Sequence, residues 1–339
     1  MTSPDSIGDF LQRSGARYRL FDLGSQLRNL SSEDWQRFDQ GDAYPLPYLN
    51  HAWLVMLLWH PDNKAQHSIW FMKLPLDEQG RLPVDVQTDV LNRLMRALTT
   101  ADADERQRLL TDHPYQFTPG LQKMAALHAR ARRILSAPES EFYASAQQRL
   151  IHNDARVDWQ TLGLQGIAEV LEQLKLKEQA QLARHLATWP VPLQTTLMEM
   201  LEHHHPELTL TRSMLELAQS ADSEPLVTAA IRGLSQSKAR GLVAQQLPEL
   251  LERFPDSLDL TLAALSRHPG LLADVDLALV LLDRLARQAD QDGFNRVIQG
   301  LALQPGLSGL VMAVLRHPNR SEDLMRAIGG LIQQASTTQ

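Results

Sequence analysis

A chain of 339 residues is too long for one compact hydrophobic core and long enough for two. Its 43% hydrophobic and 22% charged residues are those of an ordinary globular protein, and having no cysteine it carries no disulfide framework, thiol nucleophile or thiolate metal site. Residues 1–156 hold 18 basic and 19 acidic side chains (−1) and residues 157–339 hold 15 and 21 (−6), so neither part offers the broad positive field of a non-specific nucleic-acid binder.

The opening Met1-Thr2-Ser3-Pro4-Asp5 lacks a basic-then-apolar leader pattern. The longest apolar run, Ala52 to Trp59, is eight residues where about 20 are needed to cross a bilayer. A cytoplasmic protein without a membrane segment is expected.

Thirteen of the nineteen aromatic residues fall in residues 1–120, and the rest of the chain is rich in Leu, Ala, Val and Met. This shift divides the chain into an α+β domain over 1–112, a helical joint over 113–156 and an α-helical repeat domain over 157–335. In chain order, Ser6 caps a helix with Ile7, Phe10 and Leu11 on one face, ended by Gly15. Arg17 to Phe21 alternates as a strand, and Ser31 and Asp34 stand at capping-box spacing. Ala52–Trp59 and Ile69–Leu74, joined by Pro61-Asp62-Asn63-Lys64, read as a β-hairpin. A helix over about 83–98 follows, with Pro83 in its first turn and Val90, Leu91, Leu94 and Leu98 as its buried stripe.

Beyond residue 119 only helices are expected, two of them opened by Thr118-Pro119 and Ala137-Pro138. A short core helix with small residues then returns six times, ending at Leu171, Leu201, Leu234, Leu265, Leu301 and Leu331. Proline-marked stops such as His205-Pro206, Phe254-Pro255 and His268-Pro269 punctuate the gaps. Two helices per 30–36 residues is the signature of a HEAT-like α-solenoid of helical hairpins. The expected fold is therefore mostly α, a small α+β domain followed by that solenoid, with Gly233, Ala264 and Gly300 allowing close helix approach.

No phosphate-binding glycine loop and no nucleophile elbow occurs. His203-His204-His205 point about 100° apart on a helix, so they read as a solvated helix end rather than a metal site. His60, Asp62 and His67 read as an exposed polar turn. Two clusters are candidate sites. Lys73, Asp77 and Glu78 sit at a strand end, where the carboxylates suit acid–base work or a hard cation, against the simpler role of Asp77 and Gly80 as turn formers. Lys123, Arg130 and Arg133 form the basic cluster, either a phosphate-contact patch or a solvated helix face.

Ala52-Trp53-Leu54, Trp59-His60-Pro61 and the run Trp70-Phe71-Met72-Lys73-Leu74-Pro75-Leu76-Asp77-Glu78-Gln79-Gly80 together resemble an uncharacterised proteobacterial family of nearly this length, a domain of unknown function. Met72 stands where that pattern has Leu. The resemblance implies a bacterial cytoplasmic protein and no particular chemistry.

These readings favour a non-enzymatic protein–protein interaction or adaptor protein whose partner is basic or neutral. Neither a cofactor, a metal nor a membrane is expected, and nucleic acid is disfavoured. The alternatives are an enzyme with its site around Lys73, Asp77 and Glu78, and a nucleic-acid or ribosome-associated factor using the 123–133 patch.

Overall fold

The computed structural model describes residues 6–100, 102, 105, 108, 109 and 112–337. The chain is mostly α, with a small α+β part near its N-terminus, and divides into two compact units. The first comprises residues 1–120 with 303–305, the second 121–302 with 306–339.

The first unit is an antiparallel sheet with helices on one face. β1 (Arg17–Asp22), β2 (Arg28–Asn29), β3 (His51–His60) and β4 (Asn63–Pro75) pair in the order β2-β1-β3-β4. The β3–β4 hairpin is the one the two apolar runs predict, with Trp53 opposite Lys73 and Val55 opposite Phe71. β2 is two residues long and has no periodicity to announce it. α1 (Ile7–Arg13), α2 (Ser32–Asp39) and α3 (Val84–Thr99) supply Phe10, Leu11, Trp35, Phe38, Val90 and Leu94 to the core formed on Leu54, Met56 and Leu74. Both expected N-caps form: Ser6 accepts from the Asp9 N–H and Ser31 from the Asp34 N–H. A second device secures α1, since the Asp39 carboxylate at the end of α2 accepts from the N–H groups of Ile7 and Gly8 at 3.1 and 2.9 Å. In the α3 stripe Val90 and Leu94 are buried and Leu91 is half-buried; the Leu98 side chain lies outside the described residues.

Among the described residues every strand lies before Leu76, and the second unit is helical. Its helices are α4 (Leu121–Leu135), α5 (Tyr143–Leu150), α6 (Leu164–Gln173), α7 (Leu176–His185), α8 (Val191–Leu201), α9 (Leu208–Ser220) and α10 (Glu224–Gly233). They continue as α11 (Arg240–Glu252), α12 (Leu258–Arg267), α13 (Val275–Gln288), α14 (Gln291–Ala302), α15 (Ser308–Leu315) and α16 (Glu322–Thr337). Packing alternates along the chain. α6, α8, α10 and α12 lie side by side in order; α7 packs on α9 and α9 on α11; α4 and α5 close the first end against α6. The recurring small-residue segments fall on α6, α8, α10, α12, α14 and α16, so the sequence repeat is one helix of each pair. Polar links join neighbouring pairs at nearly the same period, with Arg253 donating to the carbonyls of Gln219 and Ala221 and Gln288 to that of Pro255. The order gives way at the far end. α15 has eight residues, and α16 packs on both α13 and α14, so the last four helices form a small bundle.

Two expectations need correction. The helix expected after Pro138 begins only at Tyr143, because Ser140 is held in the intervening turn by the Glu169 carboxylate, through its N–H at 2.8 Å and its hydroxyl at 3.1 Å. Of the two glycines, only Gly233 lies at a close approach: a Cβ there would stand 2.6 Å from the Met198 carbonyl oxygen, at the last position of α10 rather than its interior. Gly300, inside α14, has nothing within 4 Å of the same position. Gly166, not foreseen, is tighter still, its Cβ position falling 2.3 Å from the Phe142 carbonyl oxygen.

The two glycines are thus expected to respond oppositely to alanine. Gly300→Ala should stabilise by about 0.5–1 kcal/mol, the helix-interior difference between the residues. Gly233→Ala should destabilise by about 1–3 kcal/mol because backbone must move. Urea midpoints of the two variants shifting in the same direction would contradict this account of α8–α10 packing.

Candidate functional site

The acidic segment after β4 is organised as a turn. Asp77 Oδ1 accepts from the N–H groups of Gln79 and Arg81 at 2.9 and 2.8 Å, and Gly80 takes φ +75°. Lys73 instead stands on β4 with its Nζ 4.7 Å from the Trp53 ring centroid, a cation–π contact. Lys73, Asp77 and Glu78 make no hydrogen bond or ion pair with one another, and Glu78 is exposed. Beside Lys73, Trp53 and Phe71 each meet Phe117 edge-on, at 5.0 and 5.7 Å between centroids.

In the basic cluster on α4, Arg130 and Arg133 are both tied to α6, Arg130 largely covered and Arg133 still exposed. Arg130 Nε donates to the Glu172 carboxylate at 2.8 Å, and Arg133 Nη1 donates to it at 3.2 Å and to the Glu172 carbonyl at 3.1 Å. Glu172 closes α6 and is buried, so α4 and α6 are fastened through one carboxylate. Arg132, turned aside as its helical position requires, reaches Glu169 at 3.3 Å and the Pro138 carbonyl at 2.8 Å. α4 ends so as to present these arginines. Ser136 adopts φ +57° while the N–H of Ala137 returns to the Arg132 carbonyl and that of Ser136 to Arg133, the hydrogen-bond pattern of a Schellman turn. Lys123, two turns earlier, is not part of the Glu172 cluster; its charge lies close enough to His203 to disfavour protonation there.

A second buried carboxylate stands one repeat further on. Glu202, the C-cap of α8, has no solvent exposure. Arg232 of α10 approaches one of its oxygens at 2.5 Å and Arg267 of α12 the other at 3.0 Å. Glu172, Glu202, Arg232 and Arg267 thus sit at the C-terminal ends of α6, α8, α10 and α12, in two buried clusters: Glu172 with Arg130 and Arg133 of α4, and Glu202 with Arg232 and Arg267. Burial pushes the Glu202 carboxyl up, but the two guanidinium groups outweigh it and hold the group below the usual carboxylate value.

The histidine triplet lies between these two clusters, contrary to the solvated helix end expected. His203 and His204 are buried and only His205 is exposed, because the chain leaving α8 turns under α4, where Arg130 donates to the His203 carbonyl at 3.2 Å. Burial lowers the His203 pKa to about 4 despite Glu202 next to it. Burial and the charge of Arg130 hold His204 well below its usual value, with Nδ1 3.7 Å from the Glu172 carboxylate. Both imidazoles are neutral at pH 7. His60, Asp62 and His67 are exposed in the β3–β4 turn, where their contacts are with nearby backbone. Among the described residues no three His, Asp or Glu side chains are grouped as a metal ion would need.

The two buried clusters have little signature in the sequence. Their one signal is spacing, since Glu172, Glu202, Arg232 and Arg267 lie 30, 30 and 35 residues apart, close to the return of the core helix. Charged residues at a repeat period are equally consistent with a solvated face, so burial had to come from the fold. Compared with known proteins, the chain matches over residues 3–332 a family described as protein of unknown function, DUF3549, and it belongs to that family. No curated protein and no solved structure matches it. Among the described residues no helix is long and apolar enough to cross a membrane.

The neutral histidines carry a pH signature. A histidine whose folded pKa is below its unfolded value binds fewer protons when folded, so stability present above about pH 6.5 is lost as the pH falls toward 4. For His203 this loss amounts to about 2 kcal/mol between pH 7 and 5. In His203→Gln the drop in unfolding free energy between those pH values should shrink by that amount. An unchanged pH profile would show that His203 does not titrate on unfolding as described.

Proposed function

We propose that this protein acts by holding another protein on its helical-repeat unit, a HEAT-like α-solenoid working as an adaptor in the cytoplasm, and that it turns over no substrate. The observation that carries the reading is the ordered packing of α6, α8, α10 and α12 with α7, α9 and α11 in a second row. Such a stack presents side chains from several repeats along one continuous surface, which suits an extended partner. The buried charges support the same reading. Of the residues in the basic cluster, Arg130 and Arg133 are engaged with Glu172 as struts between α4 and α6. Exposed apolar side chains stand where a partner would reach them: Leu176 and Leu208 open α7 and α9, which pack together, and are 69% and 45% exposed. The −6 carried by residues 157–339 favours a basic or neutral protein partner over a phosphate backbone.

The test is affinity purification of the full-length chain with nuclease treatment. One protein partner, retained after nuclease, is expected, with an association rate that falls as salt rises. Leu176→Lys with Leu208→Lys should lose that partner while leaving the unfolding midpoint unchanged. Recovery of nucleic acid alone, or retention of the partner by the double variant, would overturn the reading.

A further inference from the structure

We propose a binding site for a small anionic ligand, one bearing a carboxylate or phosphate group, in the cavity at the C-terminal ends of α4 and α6. The inference is independent of the adaptor reading. The cavity has a volume of about 380 Å³, and its polar lining includes Arg132, Arg133, Glu139, Glu169, Glu172 and Lys175. That volume lies within the range of small-molecule sites.

The sign of the ligand follows from which lining groups are already satisfied. Glu169 accepts from Ser140, from the Gln165 amide at 2.8 Å and from Arg132. Glu172 accepts from Arg130 and Arg133, with His204 behind it. Both carboxylates are buried and saturated with donors, so they form the floor of the cavity and have little left to offer a cation. The remaining carboxylate, Glu139, is exposed at the rim.

The cations retain unused donors. Arg133 uses only Nη1, on Glu172, leaving its Nε and Nη2 free, and its side chain is 65% exposed. Lys175 is exposed, and its ammonium has no hydrogen-bond partner among the described residues. The Nη1 of Arg132 is likewise unused. Carbonyls at the C-terminal ends of α4 and α6 would ordinarily favour a cation here. They are already covered, since the Pro138 and Glu172 carbonyls accept from Arg132 and Arg133 and the end of α4 is closed by its Schellman turn. Counting Arg130 beneath the floor, four cations stand against three carboxylates. The Nε–Nη2 edge of Arg133 matches the two oxygens of a carboxylate or phosphate, and Lys175 supplies a point charge.

Calorimetric titration of the full chain with inorganic phosphate, with citrate and with spermidine, at matched ionic strength, tests the proposal. At least one of the two anions is expected to bind at a single site. Phosphate binding alone would mark a phosphoryl ligand, and citrate binding alone a carboxylate ligand. Arg133→Gln should weaken that binding roughly tenfold, as loss of a charge-assisted pair implies, and Lys175→Gln roughly threefold, a screened contact. The Lys175 side chain makes no hydrogen bond or ion pair among the described residues, so its variant separates lost binding from lost folding. Binding of spermidine alone, binding of none of the three, or anion binding undiminished in both variants would overturn the assignment.

Discussion

The helical unit is organised around Glu202, a carboxylate with no exposure gripped by two arginines from two later repeats. Arg267 lies 65 residues from its partner, so this one group ties α8 to α12 across α10. Removing a charge from water costs several kcal/mol, and the pair returns that only in good geometry. A buried ion pair is therefore weak as net stabilisation and strong as a specification. A repeat that slipped out of place would leave the Glu202 charge buried and alone, which costs far more than the pair gains. Leucine and alanine stripes, by contrast, tolerate sliding, because one apolar surface packs on another almost equally well in several positions.

The same logic accounts for the start of the stack. Glu172 does for α4 and α6 what Glu202 does for the three helices after them, and the neutral histidines between them fill space that a charged imidazole would disrupt. The first end is closed by α4 and α5, with Arg130 turned in toward Glu172 and the connecting turn anchored on Glu169. The other end closes by the α13–α16 bundle, held by apolar contact and by links such as Ser321 to Asp283.

The α+β unit is built by other means. Its large aromatic side chains bury area that small residues could not, and its polar groups serve individual turns and caps. A buried phenol is an example: Tyr44 donates to the Asp22 carboxylate at 3.0 Å, and burial, with that carboxylate beside it, raises the Tyr44 pKa well above its usual value, so it remains a donor. The acidic turn after β4 belongs to this class. Asp77 is spent on two backbone N–H groups, which is the chemistry a strand needs to reverse before α3.

Sequence by itself determined what depends on neighbours along the chain. The caps at Ser6 and Ser31, the hairpin, the turn at Gly80 and the alternate-helix repeat all follow from spacings of two to four residues or from one period of about thirty. Tertiary structure decided what depends on distance in space. Gly233 and Gly300 stand at corresponding points of the sequence repeat, yet one meets a carbonyl oxygen and the other meets nothing, because only packing sets the gap beside a helix. Arg130, His203 and His204 read as solvated in the sequence and are covered in the fold, since periodicity shows which residues share a face and not what covers it. The covering here is supplied from one repeat or more away. Burial turns Arg130 into a strut and a histidine run into a neutral filler, while Arg133 and Lys175, left exposed with spare donors, frame the anion site proposed between two helix ends.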